Sequence, residues 1–293
     1  MKKIFPAALL LVILYSLSIV SCHQGLSGEA YTLKMRLSKN DSFHQAIKMN
    51  MLMNMKVMGQ AMDMKMNMDA GMDFHVLDTS STKKDLQLTY TNFQMSMDMG
   101  KSIPKTIDTD SIMNQATKNM IGKSFMMELA PNNEIIAVTG FDSLMAGSAG
   151  DEASRKMMEK MFSKDQVNNM FGMMFSMYPN KPVRVGETWT SKNKVNISNI
   201  DMQINITFKL VGVKNGLADI DMDGVIDGKG KMNQGPIALD MTMSGTQKGM
   251  MTIKMADGYL QNGSYKTDMK AEMEMMGQKV PMTMKMDYFL NNK

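Results

Sequence analysis

The sequence predicts a mainly β fold of the α+β kind: a large curved antiparallel sheet, a half-barrel or barrel, with a helical insert packing on its apolar face. Three observations predict it. Apolar and polar residues alternate through nearly every long segment, the period of a strand with one buried face. Several of these runs exceed a dozen residues, and strands that long bury one face by curling or by taking helices onto it. Around residues 106–178 the apolar spacing changes to three and four, the period of a helix.

The first 21 residues read as a targeting segment, outside the fold. Lys2 and Lys3 form the basic start, and Ile4 to Val20 the apolar core. Ile19-Val20-Ser21-Cys22 then resembles a bacterial lipobox, whose cysteine becomes the acylated first residue of the mature chain. Cys22 is the only cysteine, so no intramolecular disulfide forms. The expected consequence is a lipid anchor that tethers without spanning. Residues 22–30 make the anchor and a short polar spacer, and residues 31–293 the β-rich domain.

Residues 31–37 alternate (Tyr31, Leu33, Met35, Leu37) and read as the first strand, and Asp41-Ser42 turns the chain into a methionine-rich hairpin. There Met49, Met51, Met53 and Met55 occupy odd positions, and Met62, Met64, Met66 and Met68 even ones. A turn at Gly59-Gln60 would set Met55 against Met64, Met53 against Met66 and Met51 against Met68. The opposite face would then carry Lys56 with Asp63 and Asn54 with Lys65. The run over residues 85–99 changes parity near Thr91-Asn92, which predicts a β-bulge.

In the insert, Ile112, Ala116 and Met120 recur at helical spacing, and so do Met157, Met158, Met161 and Phe162. Ser163 with Gln166 forms a capping box for a helix carrying Val167, Met170, Phe171, Met174 and Phe175, which Pro179 ends. Residues 124–139 form a short hairpin between these helices. From Pro182 the chain returns to strands, with Lys214-Asn215-Gly216 as a three-residue loop and residues 239–255 as one long strand curved at Gly245 and Gly249. Gly224, Gly228, Gly230 and Gly235 mark a turn-rich segment. The last hairpin repeats Met-Gly-Gln around Gly277, and pairs Met273 with Met282 and Met269 with Met286.

Composition narrows the function. Methionine supplies 42 of 293 residues against 11 Phe and 1 Trp. Without Lys2 and Lys3, 31 basic side chains face 29 acidic ones, a balance that gives no polybasic nucleic-acid surface. His44 and His75 make neither a triad nor a zinc site, and Asp219, Asp221 and Asp223 alternate with Ile220 and Met222 as the wetted side of a strand. No enzyme and no cofactor are expected. The methionine face, with Met51, Met53, Met55, Met64, Met66, Met68, Met273, Met282 and Met284 as its candidates, suits a deformable apolar interior for a lipid or other hydrophobic ligand. An alternative is Cu(I) or Ag(I) binding, since thioethers select soft ions. Same-face residues of one strand stand about 6.8 Å apart, so that reading needs a cross-strand trio such as Met53, Met55 and Met64. A structural or interaction module with no small ligand is the third reading.

The chain also resembles an uncharacterised family of lipoproteins from Bacteroidota. The resemblance rests on Cys22, the early Met-Gly-Gln hairpin, Leu86-x-Leu88-x-Tyr90, and above all Pro179-Asn180-Lys181-Pro182-Val183-x-Val185-Gly186-Glu187-Thr188-Trp189. It implies a cell-envelope protein and transfers no active site; with the anchor at Cys22, the expected location is the periplasmic side of the outer membrane. Long sheets capped by helices on such an anchor are similar to the lipoprotein-carrier half-barrels.

Overall fold

The computed structural model describes residues 28–57, 60–98, 100, 120–140, 171–175, 177–197, 199–234, 237–275 and 278–292. The targeting segment, Cys22, the helices expected over 108–119 and 151–170, and the tips of both Met-Gly-Gln turns lie outside these residues.

Two short strands, β1 (Ala30–Tyr31) and β7 (Val183–Arg184), pair with each other. All the others join one antiparallel sheet. In chain order these are β2 (Ser42–Val57), β3 (Gln60–Thr79), β4 (Lys84–Asp98), β5 (Ser124–Leu129), β6 (Ile135–Thr139), β8 (Thr188–Ile197), β9 (Ile200–Lys214), β10 (Leu217–Gln234), β11 (Ile237–Lys254), β12 (Leu260–Met275) and β13 (Gln278–Asn291). Their spatial order is β6-β5-β4-β3-β2-β13-β12-β11-β10-β9-β8. Two meanders therefore lie side by side, joined at the centre by the first and last long strands, with Met55 opposite Met282 and Ala46 opposite Asn291. The sheet is open, not a barrel: β6 and β8 are its free edges.

The hairpin expected in the middle of the insert is present, but it belongs to the sheet. Residues 124–139 are β5 and β6, which extend the sheet by pairing with β4. Among the described residues the only α-helix is 171–175, whose Phe171 and Phe175 are buried on the sheet. A helical insert over 106–178 is thus not supported as a whole.

Alternation gave the right face and the wrong partners in both Met hairpins. Met55 pairs with Met62, Met53 with Met64 and Met51 with Met66, two residues away from the expected register. Met273 pairs with Val280 and Met269 with Met284, again shifted by two. Both ladders run as far as Val57–Gln60 and Met275–Gln278, so the Gln expected in each turn is already paired. A shift of two keeps every side chain on its face, so pattern alone cannot detect it. The outer-face pairs change with it: Asn54 donates to Asp63 at 2.6 Å, and Lys48 pairs with Asp69 at 3.2 Å.

Other turns follow local chemistry. The expected three-residue loop is a two-residue Asn215-Gly216 turn with both φ positive (52° and 75°), after which the ladder shifts between Asp219 and Ile220. Turn and shift together bring Leu210 opposite Ile220 on the covered face, the outcome the longer loop was meant to explain. The parity change in β4 is a register shift: Gly71 faces Asn92 while Met72 faces Tyr90. Residues 32–37 join no ladder. Leu33, Met35 and Leu37 bury alternate side chains as the segment crosses the sheet's apolar face, and Arg36 N–H donates to Asp257 O at 2.7 Å. Its alternation comes from packing rather than pairing. The glycines at 224, 228 and 230 are not in turns but inside β10.

Two apolar clusters lie on that face. One is aromatic, with Phe43 stacked on Phe74 (4.7 Å), Phe74 edge-on to Phe171 (5.8 Å), and Tyr90, Phe93 and Phe125 beside them. The other joins Phe208, Leu210, Ile220 and Ile253 to Leu33, Met177 and Val183. Tyr178 and Leu290 pack against both.

A candidate ligand cavity on the covered face

Between these clusters lies a cavity of about 990 Å³. Its walls come from β8 (Lys192 to Val195), through β9–β13 and β2, to Met68 of β3 and the β5–β6 turn at Pro131 to Glu134, under the helical turn 171–175. Laid flat, the strands from β8 to β5 would span roughly 40 Å. One cavity of this size touching both ends requires the sheet to curl around it. The glycines of β10 and β11 permit close strand contact there. A Cβ on Gly249 would fall 2.2 Å from Ser264 O and 2.4 Å from Tyr265 Cβ, and one on Gly245 would fall 2.6 Å from Asp268 O.

The lining is largely apolar, with methionines 35, 49, 68, 173, 174, 177, 202, 251, 269 and 286. Unbranched thioethers with three rotatable bonds reshape at little cost, so this wall adapts to different contours. Of the candidates expected from sequence, only Met68 lines the cavity. Met55 and Met282 pack in a small cluster with Ile200 and Met241, and Met273 packs with Leu239 and Val280. Met51, Met53, Met64, Met66 and Met284 are partly buried on the same face, towards the Met-Gly turns. In the trio of the soft-metal reading, Met53 faces Met64 directly and Met284 on its other side, with Met55 two residues along the same strand, between Met62 and Met282. Among the described residues no three His, Cys, Asp or Glu side chains gather to hold a metal ion. His44 and His75 lie on the opposite face, bonded to Asp73 (2.6 Å) and Ser42 (2.8 Å).

Sequence reasoning missed the polar residues of this site. Gln247 of β11 and Thr267 of β12 face each other across the ladder, are 8% and 2% exposed, and line the cavity. Their side chains make no hydrogen bond among the described residues, so their donors and acceptors are left to whatever occupies the cavity. Tyr265, two residues before Thr267, stacks on Tyr288 at 4.5 Å. Burial pushes the Tyr265 phenol well above its ordinary range, with Tyr288 adding to the shift, and burial raises Tyr288 too. Both stay neutral at physiological pH. Gln45 is 1% exposed but donates to Asn291 O (3.0 Å) and Ala46 O (3.2 Å), tying β2 to β13. The available signal was Gln247 itself, a polar residue on the odd parity that Met241, Met243, Met251 and Ile253 otherwise fill.

The Pro179–Trp189 segment pins the cover to the sheet. Trp189 Nε1–H donates to Met177 O (2.7 Å) while its ring stacks on Phe208 (5.6 Å). Tyr178 donates its hydroxyl proton to Gly258 O. Glu187 accepts from Arg184 N–H (2.8 Å), and the Arg184 guanidinium donates to Gly28 O (3.1 Å).

Sheet and cavity together define an open antiparallel β protein with an adaptable apolar pocket beneath a partial cover. Residues 81–260, over half of the chain, match the model of a family of unknown function (DUF6263), and the chain belongs to that family. No curated protein matches it. Among solved structures it is similar to lipovitellin, in a structure concerned with lipid–protein interactions in that protein. The identity is 7% and the TM-score 0.47, over 87% of this chain and 25% of that one, so the chain spans a quarter of that protein's length. It also matches OccK2 (OpdF) of Pseudomonas aeruginosa, solved in complex with glucuronate, at 4% identity and TM-score 0.22, over 87% of this chain and 100% of that one. A BenF-like porin from Pseudomonas fluorescens Pf-5 matches at 4% and 0.22, over 88% and 100%.

Proposed function

We propose that this chain is a lipid-anchored, non-enzymatic protein of the cell envelope that holds a hydrophobic ligand in the cavity on the covered face of its sheet. The cavity carries the reading. At about 990 Å³ it lies at the upper end of the roughly 300–1,000 Å³ of small-molecule sites, and its wall is methionine-rich and apolar. The lipobox-like Ile19-Val20-Ser21-Cys22 supports the anchor.

Native mass spectrometry on the full chain, purified from its own host in amphipol, tests the reading. A bound mass of several hundred daltons that extracts into organic solvent is the expected result. Protein that stays bare after incubation with lipid vesicles would overturn it, and mass steps of one copper ion, lost to a Cu(I) chelator, would replace it with the soft-metal reading. Cys22→Ser tests the anchor separately: it should abolish incorporation of labelled palmitate and release the chain from the membrane fraction.

A further inference from the structure

A wholly apolar ligand would leave part of this cavity unmatched. Gln247 and Thr267 sit side by side on its floor, nine-tenths or more buried, with no side-chain hydrogen bond among the described residues. Gly224 stands opposite Gln247 on the next strand, where a Cβ would fall 3.3 Å from Gln247 Cβ and 3.4 Å from Ile206 Cγ1. The missing side chain keeps the space beside the amide open. Tyr265, Met269 and Met286 surround the pair, with Met286 facing Thr267 from β13.

The charges of the site have a clear arrangement. Apart from tyrosines, the ionisable residues among the described lining are Lys34, Glu134, Lys192 and Lys194, and all four are exposed to solvent. Among the described residues no cation faces the floor. An ionised carboxylate or phosphate buried there would lack a counter-charge, which strongly disfavours burial. The amide and the hydroxyl each donate and accept, so together they suit a neutral group that does the same.

We infer that the ligand is an uncharged amphiphile, with its hydroxyl or amide group bound to Gln247 and Thr267 and its hydrocarbon lying against the methionine wall. The inference rests on the cavity being a ligand site and specifies what enters it. It excludes fatty-acid anions and anionic headgroups from the floor, and it orients the ligand with its polar end innermost.

The test uses the full chain in amphipol, loaded with the uncharged dye N-phenyl-1-naphthylamine, and three competitors of equal chain length: decane, 1-decanol and decanoate at neutral pH. Decanol should displace the dye at about tenfold lower concentration than either of the others, the factor that one satisfied hydrogen bond supplies. The double variant Gln247→Met with Thr267→Val keeps volume and removes both polar groups. It should bind decane at least as well and reduce decanol's advantage to below about twofold. Equal displacement by all three in the wild type, or an advantage that survives in the variant, would overturn the inference while leaving the cavity a hydrophobic site. Failure of the dye and all three competitors to bind would overturn the ligand reading itself, and this inference with it.

Discussion

Gly249→Ala is the sharpest structural prediction. Gly249 lies on the covered face of β11 opposite Tyr265 of β12, and a Cβ there would meet Ser264 O at 2.2 Å, Tyr265 Cβ at 2.4 Å and Tyr265 Cα at 2.6 Å. These neighbours are backbone or the root of a side chain, so no rotamer change relieves the overlap. Ordinary contact begins near 3.4 Å, and β11 and β12 would have to separate by about an ångström in a ladder whose strands stand roughly 4.8 Å apart. Overpacking of this kind costs about 3 kcal/mol. For a domain of this size that is a fall in Tm of roughly 6–12 °C. Gly212→Ala is the matched control. Nothing lies within 4 Å of its Cβ, so it should be neutral or gain about 0.5 kcal/mol from a less flexible unfolded chain. Urea unfolding followed by circular dichroism would read both. A Gly249→Ala protein as stable as wild type would refute the close approach of β11 and β12, and with it the account of how the sheet curls around its cavity.

Two further predictions concern stability. Burial raises the phenols of Tyr90, Tyr178 and Tyr259, so the folded state keeps its protons where the unfolded chain loses them. Stability from these groups is complete below about pH 10, the unfolded phenol value, and declines as pH rises above it; tyrosinate absorbance that appears well before loss of circular dichroism would contradict this. Phe171→Ala, at a 1% exposed ring packed edge-on to Phe74, should cost about 3–5 kcal/mol and make the 171–180 segment the first site of limited proteolysis. An unchanged cleavage pattern would show that the ring does not hold the cover.

Much of the fold was legible because side-chain parity is a local signal. The apolar sides of β2, β3, β9, β11 and β13, the shift at Thr91 and the single long strand over 237–254 all follow from alternation. Register was not legible, because moving Met55 from Met64 to Met62 changes no face. Nor was the central β2–β13 pairing, which joins residues far apart in sequence and leaves no local trace. Gly224, Gly228 and Gly230 looked like turn residues, but they lie within a strand, where they make room for neighbouring atoms. The candidate site was the least visible part. Strings of methionine drew attention towards the hairpin ends, whereas the cavity depends on curvature and on the two polar residues that interrupt its apolar floor.

The place where the sheet is joined affects how the protein can be made. Of the strands of this sheet β2 is made first and β13 last, yet they are neighbours at its centre. Until β13 arrives, β2 presents an open edge of unpaired amides and carbonyls, the kind of edge that recruits other chains. Closing the sheet also joins contacts at very large sequence separation, which slows folding. The whole sheet therefore cannot form before β13 has been made. Late closure makes the period between emergence of β2 and arrival of β13 the time of greatest need for a chaperone.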